Sequence, residues 1–130
     1  MQAVYVKDES ARFGLNSFKA LGASWAMSRL AARASGLPRF AAATDGNHGR
    51  AVAWMARQMG AAATVFVPAS MVLRRVQNIH KEGAEVRIVD GTYDDAVRQC
   101  AAESEQRGRQ VVADTGYAGC LEVPQWVMEG

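Results

Sequence analysis

The chain has 130 residues with 15 basic and 13 acidic side chains, the size of one domain or of part of a larger protein. The net charge of +2 and the scattered arginines leave no footprint for nucleic acid, and no aromatics interleave with them as single-strand binding requires. No apolar run reaches membrane-spanning length and the N-terminus has no signal-peptide layout, so a cytoplasmic globular protein is expected. Cys100 and Cys120 lie far apart without metal-ligand spacing and read as buried or incidental thiols in a reducing compartment.

In chain order, Val4-Tyr5-Val6 predicts a short strand, and Arg12 to Asn16 a loop. Asn16 or Ser17 is placed to cap a helix running to about Ala34, which Ser35-Gly36-Leu37-Pro38 ends. Phe40 to Ala43 is the second expected strand. A helix follows with Ala51, Trp54, Met55 and Met59 at helical spacing, closed by Gly60. Thr64 to Val67 predicts a buried strand stopped by Pro68. Ser70 is placed to cap a helix with Leu73, Val76 and Ile79 on one face. Glu85 to Val89 predicts a strand. Thr92 caps a helix whose first turn holds Asp94 and Asp95, and whose apolar face is Tyr93, Ala96, Val97, Cys100 and Ala101. Gln110 to Ala113 is the last expected strand, and Glu122 to Gly130 reads as helical. Strands alternating with helices imply an α/β fold, a parallel sheet flanked by helices in a Rossmann-like three-layer arrangement. Asp45 and Asp114, each just past a predicted strand, then belong to the same carboxyl edge of the sheet, where such folds bind ligands.

The stretch Thr44-Asp45-Gly46-Asn47-His48-Gly49-Arg50 concentrates the chemistry. A strand, a glycine turn and a helix start direct backbone N–H groups and a helix dipole at one spot, which suits an anion. Asp45 is either a proton acceptor or the residue that bonds its own turn amides. Asn47 either donates to a ligand oxygen or caps the helix, and His48 is either a base or a packing group. Lys19 falls in the first turn of its helix, where a cation faces the positive end of the dipole. That is a poor place for a structural lysine and a good one for a nucleophilic amine, although a surface lysine reaching solvent also satisfies the pattern. Asp114 is a second acid or base, or the cap of a following helix. Tyr117 belongs to that site or packs beside it. His80, near a helix end, reads as structural; Trp25, Trp54 and Trp126 read as core or interface residues, and Lys7 and Asp8 as solvated.

Together, Asn16-Ser17-Phe18-Lys19 with Leu21-Gly22, and Thr44-Asp45-Gly46-Asn47-His48-Gly49, resemble the pyridoxal-phosphate enzymes of the tryptophan-synthase-β fold type. The finer resemblance is to the diaminopropionate ammonia-lyases. It is carried by Val6 to Ser10, Arg12 to Asn16, Asp45 within the asparagine loop, Gly49-Arg50 with Ala53-Trp54, Tyr93 to Arg98, Asp114-Thr115 and Pro124 to Gly130. The resemblance implies pyridoxal 5'-phosphate held by Lys19 as a Schiff base, and Asn47 on the pyridine hydroxyl. It implies Thr44, Gly46 and His48 at the substrate carboxylate, with Asp45 also facing the substrate. Asp45 and Asp114 would be proton acceptors on different faces of 2,3-diaminopropionate, which would be converted to pyruvate and ammonia. A serine or threonine dehydratase activity is the alternative within the superfamily.

The same resemblance implies a homodimer for the full-length enzyme. Residues from about 40 to 115 would match its smaller domain, and both ends its larger one. The family's glycine-rich phosphate cup and its partner for the pyridine nitrogen lie downstream of the stretches matched here, and the link from Gly36 to Phe40 is shorter than the family's. The chain is therefore expected to be an N-terminal portion. On its own it would leave apolar surface uncovered, so a non-catalytic, self-associating fragment is the third expectation.

Overall fold

A computed structural model describes residues 2–130. Four strands, β1 (Arg39–Ala43), β2 (Ala63–Pro68), β3 (Glu85–Val89) and β4 (Arg109–Val111), alternate with five helices. The helices are α1 (Lys19–Arg33), α2 (Asn47–Met59), α3 (Leu73–Lys81), α4 (Tyr93–Arg107) and α5 (Glu122–Glu129). The strands form one all-parallel sheet in the order β3-β2-β1-β4, as the α/β reading expects.

The two-residue period of the strands divides the core. Phe40 and Ala42 of β1, with Ala63, Val65 and Val67 of β2, face the side packed by α1, α2, α3 and α5. Ala41 and Phe66 face the other side, where Ala96 and Cys100 of α4 cover them with Val89. The alanines of β1 let helices lie close on both faces, and Phe40 and Phe66 supply bulk. The chain steps from β1 to β2 to β3 in one direction, then α4 carries it across the opposite face to β4 on the far side of β1. This reversal opens a crevice at the carboxyl ends of β1 and β4, the position where open α/β sheets bind ligands.

Helix termini follow the sequence in part. Thr92 caps α4 in a reciprocal capping box with Asp95, and Gly60 ends α2. Other expectations are corrected. Val4, Tyr5 and Val6 form no strand and are 86%, 93% and 84% exposed. A β-prone run without a neighbouring strand has no ladder to join, and none stands beside it among the described residues. Neither Asn16 nor Ser17 occupies the α1 cap: Phe18 does, while Ser17 Oγ accepts from the Lys19 amide at 3.2 Å. Asn16 instead takes a left-handed conformation (φ 55°), which asparagine tolerates, and turns the chain into the helix. Ser70 caps nothing; α3 starts two residues later than expected, behind Val72. Leu73 accordingly lies outside the buried face and is exposed, whereas Ile79 is buried. The expected loop at Arg12 tightens into one 3-10 turn, Arg12–Gly14, whose Phe13 stacks on Trp54 at 4.8 Å.

The C-terminal helix is fixed through tryptophan. Trp126 is buried against α1, with the guanidinium groups of Arg29 and Arg33 at 4.7 and 4.4 Å from its ring centroid. Each such contact contributes about 0.5–1 kcal/mol at a partly exposed site. Trp25 on the neighbouring turn remains exposed, with the Arg29 guanidinium 5.4 Å from its ring centroid. Among the described residues, no helix is long and apolar enough to cross a membrane.

Candidate active site

The turn after β1 is organised by Thr44. Its buried hydroxyl accepts from the amides of Gly46 and Gly49 at 2.9 and 3.0 Å, and its own amide extends the β1–β2 ladder to Phe66 O. Thr44 thus performs the turn-holding task that the sequence also allowed for Asp45. The Asp45 carboxylate makes no hydrogen bond among the described residues and stands exposed at the sheet edge. Its backbone carbonyl accepts from Arg75 of α3 at 2.9 Å, which props the turn from outside. α2 begins at Asn47 with no side-chain cap, so the Asn47 amide is exposed and uncommitted.

Asp114 arrives from the other side of the crevice. β4 ends at Val111, one further ladder bond joins the Val112 amide to Ala41 O at 2.8 Å, and Asp114 follows two residues on. No helix starts there; the chain passes into a turn closed by a Tyr117–Cys120 bridge, so the capping role falls away. Instead, Asp114 Oδ2 lies 3.2 Å from Lys19 Nζ. Both side chains are partly sheltered, at 18% and 31% exposure, which makes the pair stronger than a free surface contact. Lys19 Nζ also stands 5.4 Å from the Phe18 ring centroid.

His48 is buried beneath this pair. Its Nε2 lies 2.7 Å from Val112 O, and its Nδ1 lies 3.9 Å from Asp114 Oδ2 without a hydrogen-bond partner. Burial depresses its pKa most; the Asp114 charge and the Val112 contact oppose this, and Lys19 adds to the depression. The neutral imidazole is therefore the form at neutral pH.

Beside Lys19 opens a cavity of about 330 Å³, lined by Phe18, Leu21, Gly22 and Asp114 and by Val127 and Met128 of α5. It is a mostly apolar slot with one amine and one carboxylate at its wall, the composition of a small-molecule site. The structure thus brings Lys19, Asp114 and His48 together, and sets Asp45, Gly46 and Asn47 on the same edge one strand away. Sequence reasoning passed over Tyr93 as a core residue. It stands near both aspartates, and its hydroxyl is raised above the ordinary tyrosine range. Burial is the main cause, a hydrogen bond to Thr115 opposes it, and the carboxylates of Asp114, Asp45 and Asp94 add to it. As the first helical residue after a parallel strand, it belongs by topology to the carboxyl edge. Arg75 had no comparable sign, since it reaches the turn from a helix 30 residues away.

The profile of the family described as "pyridoxal-phosphate dependent enzyme" matches residues 1–125. The chain belongs to that family. The family carries the cofactor expected from the sequence. A diaminopropionate ammonia-lyase of Salmonella typhimurium is 40% identical over 149 residues, covering 98% of this chain and 37% of that relative. The crystal structure of the Escherichia coli diaminopropionate ammonia-lyase in complex with an aminoacrylate-PLP azomethine reaction intermediate superposes with a TM-score of 0.88. It shares 41% identity and covers 95% of this chain and 35% of that one. An L-serine dehydratase/L-threonine deaminase of Bos taurus is 35% identical over 94 residues, 72% of this chain and 28% of that relative. The family member described here thus spans little more than a third of the length of the ammonia-lyases it matches. The aligned stretch of 149 residues also exceeds its own 130, so those relatives carry residues here that it lacks.

Proposed function

We propose that this chain carries the lysine-bearing segment of an ammonia-lyase that removes both amino groups of 2,3-diaminopropionate, leaving pyruvate and ammonia. The observation that supports this most is the convergence of one amine and two carboxylates of different status on one crevice. Asp114 is paired with Lys19, and Asp45 is free. Lys19 would hold pyridoxal phosphate through its amine, with the ring in the cavity beside it; Asn47 would bond the pyridine hydroxyl. The bound cofactor would supply an electron sink that makes the substrate α-proton acidic.

The chain's own groups would do the rest. The amides at the start of α2, shaped by Thr44 and Gly46, would bind the substrate carboxylate, with the His48 backbone among them. Asp45 and Asp114 would take the α-proton from opposite faces, which would let both enantiomers react. Residues from about 40 to 115 would form the smaller domain and both ends part of a larger one. A cytoplasmic location and a homodimer are part of the same reading.

Turnover of D- and L-2,3-diaminopropionate by the parent chain, Asp45→Asn and Asp114→Asn tests this. Each substitution should abolish reaction of one enantiomer more than of the other. Undiminished turnover of both by either variant refutes the assignment of that aspartate. The similarity to the bovine dehydratase favours a second reading, elimination from serine or threonine. Preference for serine over diaminopropionate in the same assay decides for it.

A further inference from the structure

His48 is more than a packed side chain. The carbonyl of Val112 can only accept, so at 2.7 Å the Nε2 atom must be the donor. In a neutral ring Nδ1 is then a bare lone pair, and it is fully buried without a partner. A carboxyl oxygen, Asp114 Oδ2, stands 3.9 Å from it. That distance is too long for a hydrogen bond, as two facing lone pairs require. A shift of about 1 Å brings the two atoms to bonding range once that oxygen carries a hydrogen. An unpaired buried acceptor is a standing cost, and the acid form of Asp114 removes it.

We propose that His48 is the positioning residue for Asp114, its Nδ1 accepting the O–H of the acid form that arises when the carboxylate takes a proton. This deepens the reading of Asp114 as a proton acceptor and rests on it. In that step the substrate Cα–H bond breaks and its electron pair stays on carbon. An O–H bond forms on Asp114, and no bond to His48 is made or broken. The new O–H turns toward the histidine and away from Lys19 Nζ, the other group that faces this oxygen. The lysine thus holds the charged form and the histidine the neutral form of one carboxyl.

The chain has only two histidines, so ring ¹⁵N spectra assign cleanly, with the exposed His80 as internal reference. In the parent at neutral pH, His48 should show a protonated Nε2 and a free-acceptor Nδ1. In Asp114→Asn the amide N–H stands where the acid O–H would be, and the Nδ1 resonance should move upfield to the hydrogen-bonded position while His80 stays put. A protonated Nδ1 in the parent, or an unmoved Nδ1 in Asp114→Asn, overturns the proposal.

Two further variants separate positioning from packing. His48→Gln keeps a donor for Val112 O and loses the Nδ1 acceptor; His48→Asn keeps an acceptor near Nδ1 and loses the Val112 bond. In chain loaded with pyridoxal phosphate, kcat for the Asp114-dependent enantiomer should fall about tenfold in His48→Gln, the worth of one hydrogen bond, with KM little changed. The loss should be smaller in His48→Asn. Equal losses in the two variants mean a structural histidine and overturn the proposal. Full turnover of both enantiomers by Asp114→Asn would instead overturn the acceptor reading itself, whatever the ¹⁵N spectra show.

Discussion

Replacing Gly49 by alanine should unseat the turn that carries Asp45. Gly49 lies in the first turn of α2, against β1 and β2. A Cβ there would meet Val65 Cγ1 at 2.7 Å and Thr44 Cβ at 2.9 Å, with Thr44 Cγ2 closer still. Carbon atoms rest about 3.5–4.0 Å apart, so a neighbour must move by about 1 Å. Thr44 is buried, and its hydroxyl is committed to the amides of Gly46 and Gly49. If it rotates away, two buried N–H groups lose their acceptor, at about 1–3 kcal/mol each. If the helix lifts instead, overpacking costs about 1–3 kcal/mol. The cheaper route sets the result, a loss of about 2–3 kcal/mol and a fall in Tm of about 5–12 °C.

Chemical denaturation followed by circular dichroism measures this loss. The cause is isolated by Thr44→Ser, which keeps the hydroxyl and deletes the clashing methyl. Gly49→Ala should cost at least about 0.5 kcal/mol less in that background than alone, a coupling that distant sites do not show. Additive losses, or an unchanged midpoint in Gly49→Ala, would refute the reasoning.

Gly22→Ala should detach the C-terminal helix, because the new Cβ meets Val127 C at 2.9 Å and Val127 Cγ1 at 3.1 Å, with the Val127 carbonyl oxygen nearer still. A red-shifted Trp126 fluorescence would report the exposure, and an unchanged spectrum would contradict it. Glu82, buried at the end of α3, accepts from Arg50 at 3.1 Å and pairs with Arg57 at 3.0 Å. Glu82→Leu should cost about 2 kcal/mol, the worth of a charge-assisted bond, and a denaturation midpoint equal to the parent's would refute this. His48, its pKa depressed by burial, sheds its proton on folding, whereas the unfolded chain keeps one below about pH 6.5. Its contribution to stability is therefore complete above about pH 6.5 and lost as pH falls through the depressed folded value. Denaturation at about pH 7.5 and about pH 5.5 should show this loss in the parent and a smaller one in His48→Gln; identical pH dependence would contradict it.

The alternation of short β-prone runs with helical spacing was enough to read the parallel sheet, since both periods are local. Thr92 with Asp95, and Gly60 after Met59, were legible for the same reason. Val4-Tyr5-Val6 misled because strand propensity says nothing about whether a neighbour exists to complete the ladder. Ser70 misled because a cap can be bypassed by an extended residue, here Val72. At the site, Lys19 and the two aspartates stood out by residue type and position. The shared edge of the two aspartates followed from the strand order, but the contacts of Lys19 with Asp114 and of His48 with Val112 did not, because those pairs are 95 and 64 residues apart. Which residue holds the turn was equally hidden. Thr44 and Asp45 are both competent, and only the burial of Thr44 just past β1 decides between them.

The central claim is that Lys19 is the amine of a pyridoxal-phosphate site. Absorbance of the purified chain with added pyridoxal phosphate, before and after borohydride, followed by peptide mapping, tests it most directly. The account predicts one stoichiometric adduct on Lys19, lost in Lys19→Ala. Label spread over Lys7, Lys19 and Lys81 in proportion to exposure, and unchanged by Lys19→Ala, would contradict it.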